Sequence, residues 1–196
     1  MIMAKEISKN VKDMSKNSTP GPDGITLRDL SKIDSEYSLT METFNLRFTS
    51  GMIPDMVRGC QTVVIPKLTR PERLKDINNW RRIMIGSIIL RLFSRVLTAR
   101  LAKACPITSW QRGFIRASGC SENLKLLQLL IWHAKREHRE LGVVFIDIAK
   151  AFDTVSHQHI LMGLKQKGVD QHTTNLIKNI YTHIGTKDGE TDQIRI

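Results

Sequence analysis

Val143-Val144-Phe145-Ile146-Asp147-Ile148-Ala149-Lys150-Ala151-Phe152-Asp153 is the stretch on which the reading of this chain turns. Its first four residues, β-branched or aromatic, predict a short strand buried on both faces that delivers a carboxylate, Asp147, at its far end. Small residues at Ala149 and Ala151 then let a bulky group approach the backbone before Phe152 and Asp153. A strand-end carboxylate in such a place suits a hard divalent cation. Mg²⁺ takes oxygen ligands, usually one or two carboxylates with phosphates, and Asp147 with the main-chain carbonyl of Ile148 would supply two such oxygens. The same carboxylate also suits a helix or turn cap, and spacing alone leaves both readings open. An Asp-x-Asp phosphatase needs a second aspartate where Ala149 stands, and the chain has no Gly-x-x-x-x-Gly-Lys phosphate loop.

The charge surrounding this stretch favours a polyanionic partner. The 196 residues hold 30 Lys and Arg against 19 Asp and Glu, a formal charge of +11. Between Arg58 and Lys103 stand eleven basic residues and two acidic ones, so one region carries most of the excess. Cys60, Cys105 and Cys120 are odd in number and widely spaced, which suggests neither a disulfide framework nor a zinc site and points to an intracellular setting. No apolar run approaches the roughly 18 to 20 residues of a membrane span, and no membrane partner is expected.

Upstream, Ile2, Ile7, Val11 and Met14 recur at the spacing of an amphipathic helix over residues 1 to 17. The helix breaks at Ser18-Thr19-Pro20-Gly21-Pro22-Asp23-Gly24, a loop shaped by two prolines and two glycines, with positive φ open to the glycines. Composition alone reads it as an ordinary connection. Leu27, Leu30 and Ile33 predict a short helix, Leu39 to Phe48 another, stopped at Gly51-Met52-Ile53-Pro54. Thr62-Val63-Val64-Ile65-Pro66 predicts a strand from which Lys67 emerges, and Trp80-Arg81-Arg82-Ile83-Met84-Ile85 a second, with Leu68 to Asn79 as hairpin or loop between them. From Ser87 to Lys103 the pattern is a helix with one apolar and one basic face. Arg91 and Arg95, four apart on the basic side, fit solvent or phosphate equally.

Residues 106 to 119 read as irregular. Ser121 then looks like an N-cap, with Glu122 in the first turn, for a helix reaching about Glu140 and closed by Gly142. Beyond Asp153, Ser156 caps a helix ended by Gly168, and Asp170 caps another through Leu176, Ile177 and Ile180. His157 and His159, two apart, point to different sides of a helix and do not make a metal pair. Lys187-Asp188-Gly189-Glu190 is a hairpin candidate before an alternating strand, Thr191 to Ile196.

The run Phe145 to His157 closely resembles motif A of the reverse transcriptases of non-LTR retrotransposons, and more loosely that of group II intron enzymes. Collinear with it, Gly21-Pro22-Asp23-Gly24-Ile25 is similar to the family's N-terminal zero motif, Ile65-Pro66-Lys67 to its first motif and Trp80-Arg81-Arg82-Ile83 to its Trp-Arg-Pro-Ile second motif. Gln111-Arg112-Gly113-Phe114 resembles the segment before motif A. Trp80 to Leu101, with Asp153-Thr154-Val155-Ser156-His157, looks most like the elements that insert into ribosomal RNA genes.

The resemblance implies an α/β (α+β) fold, helix-rich with a small sheet. Residues 1-105 would be the fingers, with an N-terminal lid loop, and 106-196 the start of the palm of a right-hand polymerase, ending before the second catalytic motif. It implies an RNA-directed DNA polymerase that extends a primer DNA on template RNA from deoxynucleoside triphosphates with Mg²⁺. Such an enzyme would be intracellular, and nuclear when acting on chromosomal DNA. Asp147 would be a catalytic metal ligand aided by the Ile148 carbonyl, and Phe152 the steric gate against a ribose 2′-hydroxyl. Lys67 and Arg81 would hold the incoming triphosphate, and Gly21, Pro22, Asp23 and Gly24 would lie over the template. Arg82 replaces the family's proline, leaving open which guanidinium faces the triphosphate. Because the Ala-Asp-Asp motif is absent from the 196 residues, the fragment alone is expected to be inactive. A non-catalytic nucleic-acid-binding remnant and an intron-encoded maturase are the alternatives.

Overall fold

The computed structural model describes residues 1–67, 75–113, 119–149 and 151–182. They form a helix-rich α+β arrangement of nine helices, a short 3₁₀ turn at Ile77–Asn79, and one two-stranded antiparallel sheet. The chain divides into two compact units, Met1–Ala104 with the described residues from His157 on, and Cys105–Ser156. The helices after His157, which the sequence reading placed in the second segment, pack with the first unit.

In the first unit, α1 (Ala4–Lys12) lies against α3 (Ser38–Ser50) and α5 (Ile88–Ala104). The apolar stripe read from residues 1 to 17 supplies the contact: Ile2 and Ile7 are buried, and Val11 and Met14 pack beside the core. Phe44 of α3 meets Phe93 of α5 edge to face, with centroids 5.0 Å apart, a favourable aromatic geometry. Asn45 clamps residue 2 from both sides, accepting from the Ile2 amide at 2.6 Å and donating to its carbonyl at 2.9 Å.

The helix ends follow their sequences. Thr26 caps α2 (Leu27–Ile33) in a reciprocal box with Asp29. Asp34, buried, accepts from the amide and the hydroxyl of Thr40, both at 2.7 Å, so it caps α3 from outside its first turn. Burial pushes the Asp34 carboxyl up, but the Thr40 bonds and the amides of Leu39 and Ser38 outweigh it and hold it below the usual range. Gly51 closes α3 in the left-handed region at φ 68°, and the short α4 (Asp55–Arg58) follows.

α8 (His157–Gln166) ends at Gly168, φ +75°, with Val169 and Gly168 amides returning to the Leu164 and Lys165 carbonyls. Asp170 caps α9 (Gln171–Thr182) through the Thr173 amide at 2.9 Å. α9 is tied to the end of α3, where Asn179 donates to the Gly51 carbonyl at 2.7 Å.

The second unit contains α6 (Gly119–Arg136) and α7 (Ala151–Thr154). Two expectations are corrected here. Ser121 lies inside the first turn of α6 rather than capping it, because the helix already begins at Gly119. The helix also stops before Glu140. His138 takes a left-handed conformation at φ 50° while the Arg139 and His138 amides bond the Ala134 and Lys135 carbonyls, so a histidine does the work assigned to Gly142. Among the described residues, no helix is long and apolar enough to cross a membrane.

Candidate functional site

β1 (Cys60–Pro66) and β2 (Trp80–Gly86), the two strand-like runs of the sequence, pair antiparallel, which resolves the open choice between hairpin and loop in favour of a hairpin. Their register pairs Ile65 with Arg81 and Val64 with Arg82. Successive side chains in a strand point to opposite faces, so Arg81 shares a face with Ile65 and Arg82 takes the other. The Lys67 amide donates to the Asn79 carbonyl at 2.7 Å, one rung beyond the strand, which continues the same register and puts Lys67 on the Arg81 face. The Lys67 ammonium donates to the Asn78 carbonyl at 2.7 Å and, like both guanidiniums, is exposed. The adjacent arginines are therefore not interchangeable. Residues 68–74, most of the connection, lie outside the described residues.

The loop from Ser18 to Gly24 sits at the base of this hairpin. Gly24 closes a turn onto the Gly21 carbonyl at 3.0 Å with φ +69°, a conformation that disfavours any side chain. Gly21 is required for a different reason. A Cβ there would stand 2.7 Å from the Ser87 α-carbon and 2.8 Å from the Gly86 carbonyl carbon, so only glycine lets the loop backbone touch the β2–α5 junction. Asp23 accepts from the Ile25 amide at 3.2 Å, and Gln61 of β1 donates to the Pro20 carbonyl at 3.0 Å.

The α5 arginines, one of them (Arg95) exposed, also hold main-chain carbonyls. Arg91 donates to the Thr19 carbonyl at 2.6 Å and Arg95 to the Asp13 carbonyl at 3.1 Å. Sequence reasoning also missed Gln61 and Ser87. The buried Ser87 hydroxyl accepts the Leu90 amide at 3.1 Å, capping α5, and donates to the Val57 carbonyl at 3.2 Å. A serine directly before an apolar helical run was the available signal for Ser87; Gln61, one polar residue opening a strand, offered none.

Asp147 belongs to the second unit, and its surroundings correct the opening expectation. Val143 to Ile148 form no strand: Val144, Phe145 and Ile146 are 83%, 82% and 86% exposed. A strand exists only with a partner for its N–H and C=O groups, and the only sheet among the described residues is β1 with β2. Asp147 is likewise exposed, beside the main-chain carbonyl of Ile148. These oxygens are of the type a hard cation takes, but two do not complete a shell of about six. Among the described residues no three His, Cys, Asp or Glu side chains come together as a metal site. The Phe152 side chain, Phe114 and the hairpin and strand expected over 187–196 lie outside the described residues.

Comparison with known proteins gives a consistent result. The family described as reverse transcriptase (RNA-dependent DNA polymerase) matches residues 65–195. The chain is 32% identical over 195 residues to the retrovirus-related Pol polyprotein from type-1 retrotransposable element R2 of Popillia japonica, covering all of this chain and 26% of that protein. It is 33% identical over 172 residues to the corresponding R2 polyprotein of Nasonia vitripennis, and 31% over 173 to that of type-2 retrotransposable element R2DM of Drosophila melanogaster. Each of these covers 88% of this chain and 16% of the relative. The chain thus spans about a sixth to a quarter of the length of these curated relatives.

Proposed function

Since this chain belongs to the reverse transcriptase family, we propose that it is the fingers and the beginning of the palm of an RNA-directed DNA polymerase of a non-LTR retrotransposon that inserts into ribosomal RNA genes. The hairpin holds the incoming deoxynucleoside triphosphate, and the Gly21 to Gly24 loop lies against template RNA. The observation that carries this reading is the common face of Lys67 and Arg81, with the loop seated at the base of the same ribbon. A point charge and a planar fork on one face suit the oxygens of a triphosphate.

Reverse transcriptase domains work with divalent metal ions; we assign Mg²⁺, with Asp147 and the Ile148 carbonyl as the part of its ligand set contributed by this chain. Bound metal would stabilise the attacking primer 3′-oxygen and the leaving pyrophosphate. What the described residues do themselves is orient. Arg81 and Lys67 fix the phosphates, and the seated loop limits where the template can run. Phe152 is assigned the gate against a 2′-hydroxyl by its place in the motif. The protein would act in the nucleus, where chromosomal DNA lies.

The test is a ternary-complex measurement with an RNA template annealed to a DNA primer. A deoxynucleoside triphosphate matching the next template base should raise the affinity of the chain for the duplex, and a mismatched one should not. Equal affinity with both would reduce the protein to a nucleic-acid-binding module.

A further inference from the structure

The loop of Gly21 to Gly24 is held by more than its own turn. Arg91 reaches 72 residues back to the Thr19 carbonyl at 2.6 Å, and Gln61 reaches 41 residues to the Pro20 carbonyl at 3.0 Å. Directly after these anchored residues, Gly21 rests on the backbone of Gly86 and Ser87 with no room for a methyl group. One turn along α5, Arg95 repeats the pattern on the Asp13 carbonyl at 3.1 Å. The N-terminal segment is thus strapped to α5 by arginines that the sequence had offered to phosphate.

We propose that Arg91 is a positioning residue for the loop, which it holds together with Gln61 and the Gly21 contact on the β2–α5 junction, and is not itself a phosphate ligand. Two anchors of different chemistry at Thr19 and Pro20 lead directly into the Gly21 contact, so the loop is preset before nucleic acid arrives. This rests on the reading of the loop as the template-facing element. A preset loop lowers the ordering entropy paid on binding. A guanidinium that touches no phosphate displaces no counterion when RNA binds, which separates this role from a direct phosphate contact.

The experiment uses the whole chain with three variants: Arg91→Met, Gln61→Met, which removes an anchor without changing charge, and Arg91→Lys, which keeps the charge. Hydrogen exchange at the Gly21 and Gly24 amides is measured without RNA. Affinity for single-stranded RNA is measured over a salt series. We expect exchange at least about tenfold faster in Arg91→Met and Gln61→Met, with affinity lowered in both and the slope of log K against log salt unchanged. Arg91→Lys should fall between these and the wild type. Unchanged exchange in Arg91→Met, or a slope shallower by about 0.7, the loss of one single-strand phosphate contact, would overturn the proposal. Faster exchange with RNA affinity unmoved in every variant would uphold the anchoring role and remove the loop from the template site.

Discussion

Arg100 grips Glu6 through both carboxylate oxygens, at 3.0 Å from Nε and 2.8 Å from Nη2, across 94 residues of chain. The same guanidinium donates to the Met1 carbonyl at 2.5 Å and lies 5.9 Å from the centre of the Phe48 ring. One side chain therefore joins α1, α3 and α5. Because the pair is about 30% exposed, solvent screens it. Arg100→Met should cost about 1 kcal/mol of stability, and Glu6→Gln less. Urea midpoints of the two variants check this.

Acid should loosen the first unit through carboxylates held low. Hydrogen bonding from Arg100 keeps the Glu6 carboxyl below its usual range despite the opposing effect of burial, and Thr40 with neighbouring amides does the same for Asp34 against its burial. Folded values below unfolded ones mean that the unfolded chain binds protons first. The stabilisation is complete above the unfolded values, near 4 to 4.5, and is lost as pH falls through the lower folded ones. Thermal midpoints should be flat from pH 7 to about 5 and drop below it. Asp34→Ala should lower the neutral-pH stability by about 1 to 2 kcal/mol, as for a lost helix cap, and flatten the acid limb.

Much of this unit is legible in the sequence, because its elements carry their own instructions. Ile2, Ile7 and Val11 mark a helix face, Asp170 and Gly168 mark helix ends, and the β-branched run before Pro66 marks a strand. Long-range contacts are not legible. Nothing local tells Arg91 to seek the Thr19 carbonyl, or says that Gly21 serves close packing rather than positive φ. The reading of Val143 to Ile146 failed for a related reason: composition reports that a run wants burial between strands, and only tertiary structure supplies them.

That exposed run predicts self-association. Four neighbouring apolar side chains, three of them more than 80% exposed, form a surface that water disfavours. Ile146→Lys should lower dye binding and concentration-dependent sedimentation while leaving the thermal midpoint of the first unit within about 1 °C, since a surface change costs little. A large drop in that midpoint would mean that Ile146 is buried in solution.

Asp147 stands among the described residues without further carboxylates to complete a metal site. The 196 residues alone should bind Mn²⁺ only at millimolar concentrations, by paramagnetic relaxation of solvent water, with the Asp147→Asn variant weaker still. They should give no primer extension on an RNA template. Extension that disappears in Asp147→Ala would show that the chain holds a complete site.

The central claim is that one face of the hairpin, the face of Lys67 and Arg81, is the triphosphate site. It is tested most directly by the dissociation constant of a deoxynucleoside triphosphate for the chain bound to an RNA template and DNA primer, in wild type, Arg81→Met and Arg82→Met. Loss of charge-assisted hydrogen bonds worth about 1.5 to 3 kcal/mol predicts roughly 10- to 100-fold weaker binding for Arg81→Met. Arg82→Met, on the opposite face, should stay within about twofold of wild type. Equal losses, or a greater loss for Arg82→Met, would contradict the assignment.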